Sequence, residues 1–241
     1  MARADSPPPA LLQRIQVGQA DLPEVLPWLD SEQPDLQRIF FEAARRQPRW
    51  ASQAVQILGP LLARSDFHED HERQLTGLLQ TFAGDERVVR RVATTLSDPA
   101  SPRAARLQLL QGLARIHVDP LPDAWLDALG QVLAGMEARE VQETVYTIKA
   151  KGIRQFDTQL RQLNQNVALP MSLRVAALEC LAPHERRCDP AAFRLLCEQL
   201  HEAGDPMRTM SAARALAGSR LSDNQLQELN RDLLKTAPPV V

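Results

Sequence analysis

Two stretches decide the fold: Pro102–Leu113, PRAARLQLLQGL, and Pro170–Leu181, PMSLRVAALECL. Aligned on their prolines, Arg106 falls on Arg174, Leu110 on Leu178 and Leu113 on Leu181. Both read as helices. Leu107, Leu110, Leu113 and Ala114 recur at helical spacing, and so do Val175, Leu178 and Leu181. A third segment, PMRTMSAARALAG from Pro206, has the same form and places Ala212, Ala213 and Leu216 on its inner face. Between the first two, EAREVQETVYTIKAKG puts Val141, Val145 and Ile148 in register. Successive members lie roughly 35 residues apart, the length of one helix pair in repeat proteins.

Working outward, the same punctuation recurs. Pro34, Pro48, Pro102, Pro122, Pro170, Pro190 and Pro206 each open an apolar-periodic segment. A helix tolerates proline in its first turn, where no N–H is needed. Ser101, Asp189 and Asp205 precede three of these prolines and read as N-caps. Gly18, Gly84, Gly152, Gly204 and Gly218 stand where helices should end. The spacing predicts helices over 9–18, 22–30, 34–47, 49–64, 68–83, 86–97, 102–117, 122–134, 137–151, 156–165, 170–182, 190–202, 206–218 and 222–236. Strand signals are nearly absent, with no Asn-Gly or Asp-Gly hairpin turn. Helices of this length are marginal alone in water and must stack. Short connections make neighbours antiparallel.

Composition agrees. The chain has 241 residues, 44% hydrophobic but only 4% aromatic, so its core is built from Leu, Ala, Val and Ile. These suit close helix packing better than a sheet sandwich. Net charge is −2, and each half of the chain sums to −1. No basic stripe of the kind a nucleic-acid binder carries is evident. Lys149, Lys151 and Lys235 are the only lysines among 28 basic residues, which reads as a coding bias toward Arg. No apolar run is long enough for a transmembrane helix or a signal peptide, so no address is expected within these residues, and a longer parent protein could carry one elsewhere.

The segments resemble HEAT repeats, most clearly in Pro170, Arg174, Ala176, Ala177 and Leu181, and partly in the units beginning at Pro102 and Pro206. The resemblance implies an all-α, α-α superhelix, a solenoid of antiparallel helix pairs. It assigns 1–20 to an N-terminal extension with a short helix, 21–236 to the repeat array, and 237–241 to a tail or the start of a further segment. The paired alanines Ala176-Ala177 and Ala212-Ala213 would let adjacent pairs approach closely. The closing LSDNQLQELNRDLLKTAPPVV and the Arg/Ala/Leu texture are similar to the helical middle of large planctomycete-type proteins. Those join a dehydrogenase-like propeller, HEAT repeats and a c-type haem module. That similarity implies a spacer or docking segment of a longer protein; no propeller or haem motif stands in these residues.

Chemistry-bearing clusters are sparse. His68-Glu69-Asp70-His71-Glu72 offers His-x-x-His, short of the His-Glu-x-x-His of zinc proteases, and reads better as an acidic first turn complementing the helix dipole. Arg45-Arg46, Arg90-Arg91 and Arg186-Arg187 read as solvated, with Glu42, Glu86 and Glu185 near enough to offset them. Arg106 and Arg174 should bond to acceptors in neighbouring loops. Trp28, Trp50 and Trp125 read as core residues whose indole N–H finds a partner at the rim. Cys180 reads as a small core residue, and Cys180, Cys188 and Cys197 match neither a disulfide framework nor a zinc set. No nucleophile elbow, phosphate loop or dinucleotide fingerprint is found. The expectation is a non-catalytic scaffold with no catalytic, cofactor-binding or metal residues. Its partner would be a protein or a neighbouring domain, rather than nucleic acid, membrane or small molecule. A helical-repeat lyase or DNA glycosylase is the enzyme alternative; the even charge and few aromatics speak against it.

Overall fold

The computed structural model describes residues 7–29, 31, 33–64, 68–135, 137–201 and 205–236. Among them the protein is all-α, with no strand. The helices are α1 (Pro9–Gln16), α2 (Leu22–Val25), α3 (Pro34–Arg46), α4 (Pro48–Leu62), α5 (Glu69–Thr81), α6 (Glu86–Ser97), α7 (Arg103–Arg115) and α8 (Asp123–Gly135). They continue as α9 (Ala138–Lys151), α10 (Asp157–Gln165), α11 (Met171–Leu181), α12 (Pro190–His201), α13 (Pro206–Gly218) and α14 (Asp223–Thr236). A 3-10 turn, Leu26–Trp28, follows α2, so the single helix expected over 22–30 is two short pieces.

Local chemistry explains the boundaries. Pro34, Pro48, Pro190 and Pro206 are first helical residues. Pro102 and Pro170 instead occupy the N-cap position, and α8 begins just after Pro122. Asp205 caps α13, accepting from the N–H groups of Met207 and Arg208, and Asp189 caps α12 through those of Ala191 and Ala192. Ser101 caps nothing, because α7 starts one residue later than expected and Pro102 intervenes. Asp85 is a further cap, bonded by the N–H groups of Arg87 and Val88. Gly18 and Gly152 sit in the left-handed region at φ 73° and 61° after α1 and α9. Gly84 and Gly218 end their segments without it, and Gly204 and the 237–241 tail lie outside the described residues.

The chain divides into two compact units, residues 1–136 and 137–241. In the first, each helix packs on the next but one. Odd-numbered helices form one series, α1 on α3, α3 on α5, α5 on α7, and even-numbered helices another, α2 on α4, α4 on α6, α6 on α8. In the second, α11 is central, touching α9, α10 and α13, and α12 packs on α13. Val175 and Leu181 of α11 are buried as expected, but so are Leu173, Ala176, Ala177 and Cys180. The helix is covered nearly all round, not on one stripe. In α7, Leu110 and Leu113 are buried while Leu107 and Ala114 are only half-buried; Ala105 and Leu109 complete its inner face. In α13, Ala212 is buried but Ala213 is exposed, its place taken by Ala215. One-face readings erred here because a helix flanked on two sides has no single apolar stripe.

Candidate binding cavity

Arginine near helix starts ties loops down. Arg106, 7% exposed, donates to the carbonyls of Asp98, Pro99 and Ser101 in the turn before its helix. Arg174 donates Nε–H to the carbonyl of Asn164 at 2.8 Å. Arg49 reaches the carbonyls of Gly18 and Ala20 at 2.9 Å, and Arg87 reaches Ser52 Oγ and the Pro48 carbonyl. Most of these guanidiniums bond carbonyls in the last turn of a helix or in the loop beyond it, groups that lack an intrahelical partner. The shared position of Arg106 and Arg174 is therefore a loop brace.

Other expected residues resolve as follows. His68 is the N-cap of α5, and its backbone N–H points at Nδ1 of His71 at 3.4 Å, the two rings tilted by 36° with centroids 4.0 Å apart. His71 is buried, so this turn is less solvated than its charge suggests. Glu69 pairs with Arg73, and Glu72 with Arg115 at 2.5 Å. Among the described residues no three His, Cys, Asp or Glu side chains gather as a metal site requires. Trp50 and Trp125 are fully buried, donating Nε1–H to the carbonyls of Ala20 and Val89 at 3.0 Å. Trp28 departs from that pattern: it is half-buried, and its sealed N–H meets no acceptor among the described residues. Arg46 and Arg90 pair with Glu42 and Glu86, but Glu185 turns away from Arg186-Arg187 and binds Arg161 at 2.9 Å.

The second unit holds a polar knot. Glu179, 5% exposed, pairs with Lys149, and Nδ1 of His184 lies 3.0 Å from Asp157 Oδ1. Cys180 adjoins this knot, yet burial, reinforced by Asp157, pushes its thiol up to about 12. A thiol held protonated is no nucleophile at neutral pH. The knot ties α9 and α10 to α11, a structural task. Sequence reading missed it, along with Glu140, Thr144 and Thr147, all fully buried on α9. The signal was present: polar residues stood within the apolar period of α9, with Lys149 near its end.

No packing comparable to α4 on α6 or α6 on α8 joins α10 to α12. Between them lies a cavity of about 250 Å³. Its floor is Leu178 and Leu181 of α11 with Leu196 of α12, all buried. One wall is Arg161 and Asn164 of α10; the other end is the turn bearing Glu185 and Cys188. Asn164 Oδ1 is sealed from solvent and accepts no hydrogen bond. Cys188 is half-buried, and burial raises its thiol above the usual range. Its backbone fastens two turns: the N–H donates to the Arg220 carbonyl at 3.0 Å, and the carbonyl accepts from Gln225 Nε2 at 3.2 Å. That bond brings the turn that follows Arg186-Arg187 beside Arg220, distant in sequence. All three are exposed, and none forms an ion pair among the described residues. The charged residues that line the cavity itself are Arg161, Glu185 and Asp189.

No protein-family model, curated protein or solved structure matches the chain. Among the described residues, no helix is long and apolar enough to cross a membrane.

Proposed function

We propose that this chain is a HEAT-like helical-repeat scaffold that works by binding another protein or a neighbouring domain, without catalysis of its own. The observation carrying this reading is the next-but-one packing of helices in each unit, α3 on α5 on α7 and α9 on α11 on α13. Each helix pair then buries its apolar face only against its neighbours, the arrangement that repeat arrays use. Two details support it. Ala176, Ala177 and Ala212 are at most 2% exposed, as close stacking needs. Arg106 and Arg174, equivalent in the repeat, brace equivalent loops. The polar groups offer binding surface rather than chemistry: the one buried thiol with a large shift is held protonated, and the buried carboxylate Glu179 is neutralised by Lys149.

The test is recovery of the intact chain from its native host after mild crosslinking. The expected result is one partner in fixed ratio that rebinds the purified chain. Absence of any such partner, or turnover of a substrate by the purified chain, would contradict the reading.

A further inference from the structure

We infer that residues 161–170, the second half of α10 and the loop after it, form a strap that swings out to open the cavity, latched shut by the ion pair of Arg161 with Glu185. The strap is a property of the fold and requires no particular partner, so it stands apart from the scaffold reading. Three observations carry it.

The first is how little holds the strap. Phe156 and Leu160 before it are 3% and 0% exposed, and Leu173 after it is 1% exposed. Between them, residues 161–170 include no buried residue, and Val167 in the loop is 81% exposed. A segment without buried apolar contacts opens at low cost while its flanks stay folded. The first half of α10 is fixed more firmly, by Leu160 in the core and by Asp157 on His184.

The second is the kind of fastening. Arg161 Nε donates to Glu185 Oε1 at 2.9 Å, joining the strap to the turn after α11, and the two side chains are 48% and 36% exposed. An ion pair this open to water is weak and salt-sensitive. A second hold is the bond from Arg174 Nε to the Asn164 carbonyl. Arg106, at the equivalent repeat position, holds its loop through three carbonyls, whereas Arg174 grips one. Arg161, Asn164 and Gln165 wall the cavity, so movement of the strap widens it.

The third is Asn164. Its Oδ1 is sealed from water and accepts no hydrogen bond while the strap is closed. Such an acceptor raises the free energy of the closed state, and water satisfies it once the strap swings out.

The test uses the full chain with Cys180→Ala and Cys197→Ala, which leaves Cys188 of the cavity lining as the single thiol. Two rates are followed: amide hydrogen exchange in residues 161–170, and alkylation of Cys188 by N-ethylmaleimide. Arg161→Met removes the latch and keeps the aliphatic stem. Arg161 is half-exposed, so the fold should survive, and circular dichroism checks this. Both rates should rise about 3–5-fold, the change that a half-exposed ion pair is worth, while amides of α11 from Val175 to Leu181 keep the parent rate. Sodium chloride at about 1 M should speed both rates in the parent and have little effect on the variant. The salt arm needs no change at Arg161, so it decides the matter even if the variant misfolds. Unchanged exchange in residues 161–170, an equal loss of protection in α11, or faster amide exchange with no change at Cys188 would overturn the inference. The last result would mean that α10 frays at its end without opening the cavity.

Discussion

In the first unit α6 packs on α4 and α8 on α6; in the second, α10 and α12 leave a cavity between them. The helices explain the difference. α6 has 12 residues and buries Val88, Val92, Thr95 and Leu96, whereas α10 has nine and buries only Leu160. A helix with one buried residue has no second apolar row to offer a neighbour. It lies on α11 and leaves its far side open. The closed layer is thus a source of stability, and the open one leaves a cavity between its helices.

The largest effect should come from the closed layer. Trp125 of α8 is fully buried and bonds the Val89 carbonyl of α6. Trp125→Ala should cost about 3–5 kcal/mol in urea unfolding. A cost under about 1 kcal/mol would mean that α6 and α8 are not tightly joined. The second unit relies instead on its polar knot. Lys149→Met would leave Glu179 buried and unpaired. Full burial of such a charge costs roughly 3–5 kcal/mol, but Lys149 is 36% exposed, so solvent screening reduces the expected loss to about 2 kcal/mol. Replacing both residues, Lys149→Met with Glu179→Leu, should restore much of it.

Asp85 gives a smaller effect with a pH signature. The Arg87 side chain, with the N–H groups of Arg87 and Val88, holds its carboxyl below the ordinary range. The folded pKa is depressed, so the stabilisation is complete above about pH 4, the unfolded value, and is lost as pH falls through the folded value. Asp85→Ala should cost about 1 kcal/mol at pH 7, and the gap to the parent should close below about pH 4. A gap independent of pH would rule out the carboxylate as its cause.

The finest comparison uses two glycines. A Cβ at Gly112 of α7 would meet Leu79 Cδ1 at 3.0 Å, tighter than ordinary contact in the α5–α7 packing. A Cβ at Gly218, closing α13, would meet Ala182 Cβ at 3.5 Å and Pro183 Cγ at 3.9 Å, both ordinary contacts. Gly218→Ala should therefore stabilise by about 0.5 kcal/mol through loss of unfolded-state freedom. Gly112→Ala should instead destabilise by roughly 1 kcal/mol, crowding outweighing helix propensity. Melting curves of both variants check the opposite signs.

Helix positions were legible from the sequence because proline, capping aspartate and 3.6-residue periodicity act within a few residues. Most boundaries fall within two residues of expectation. Long-range facts were not legible. Nothing local marks α11 as covered nearly all round, because that depends on α9, α10 and α13 arriving from elsewhere. The approach of the turn after Arg186-Arg187 to Arg220 depends on one backbone bond between turns 32 residues apart, Cys188 to Arg220. The cavity exists because α10 is poor in apolar residues, a deficit visible in DTQLRQLNQ but meaningful only once its neighbours are placed.

The central claim is that each helix pair depends on its immediate neighbours. Native-state amide hydrogen exchange on Leu216→Ala tests it most directly. Leu216 lies in the cluster shared by α11, α12 and α13. The account expects protection to fall through α11–α14 and to stay at the parent level in α3–α7. An even loss of protection across all the helices would contradict it.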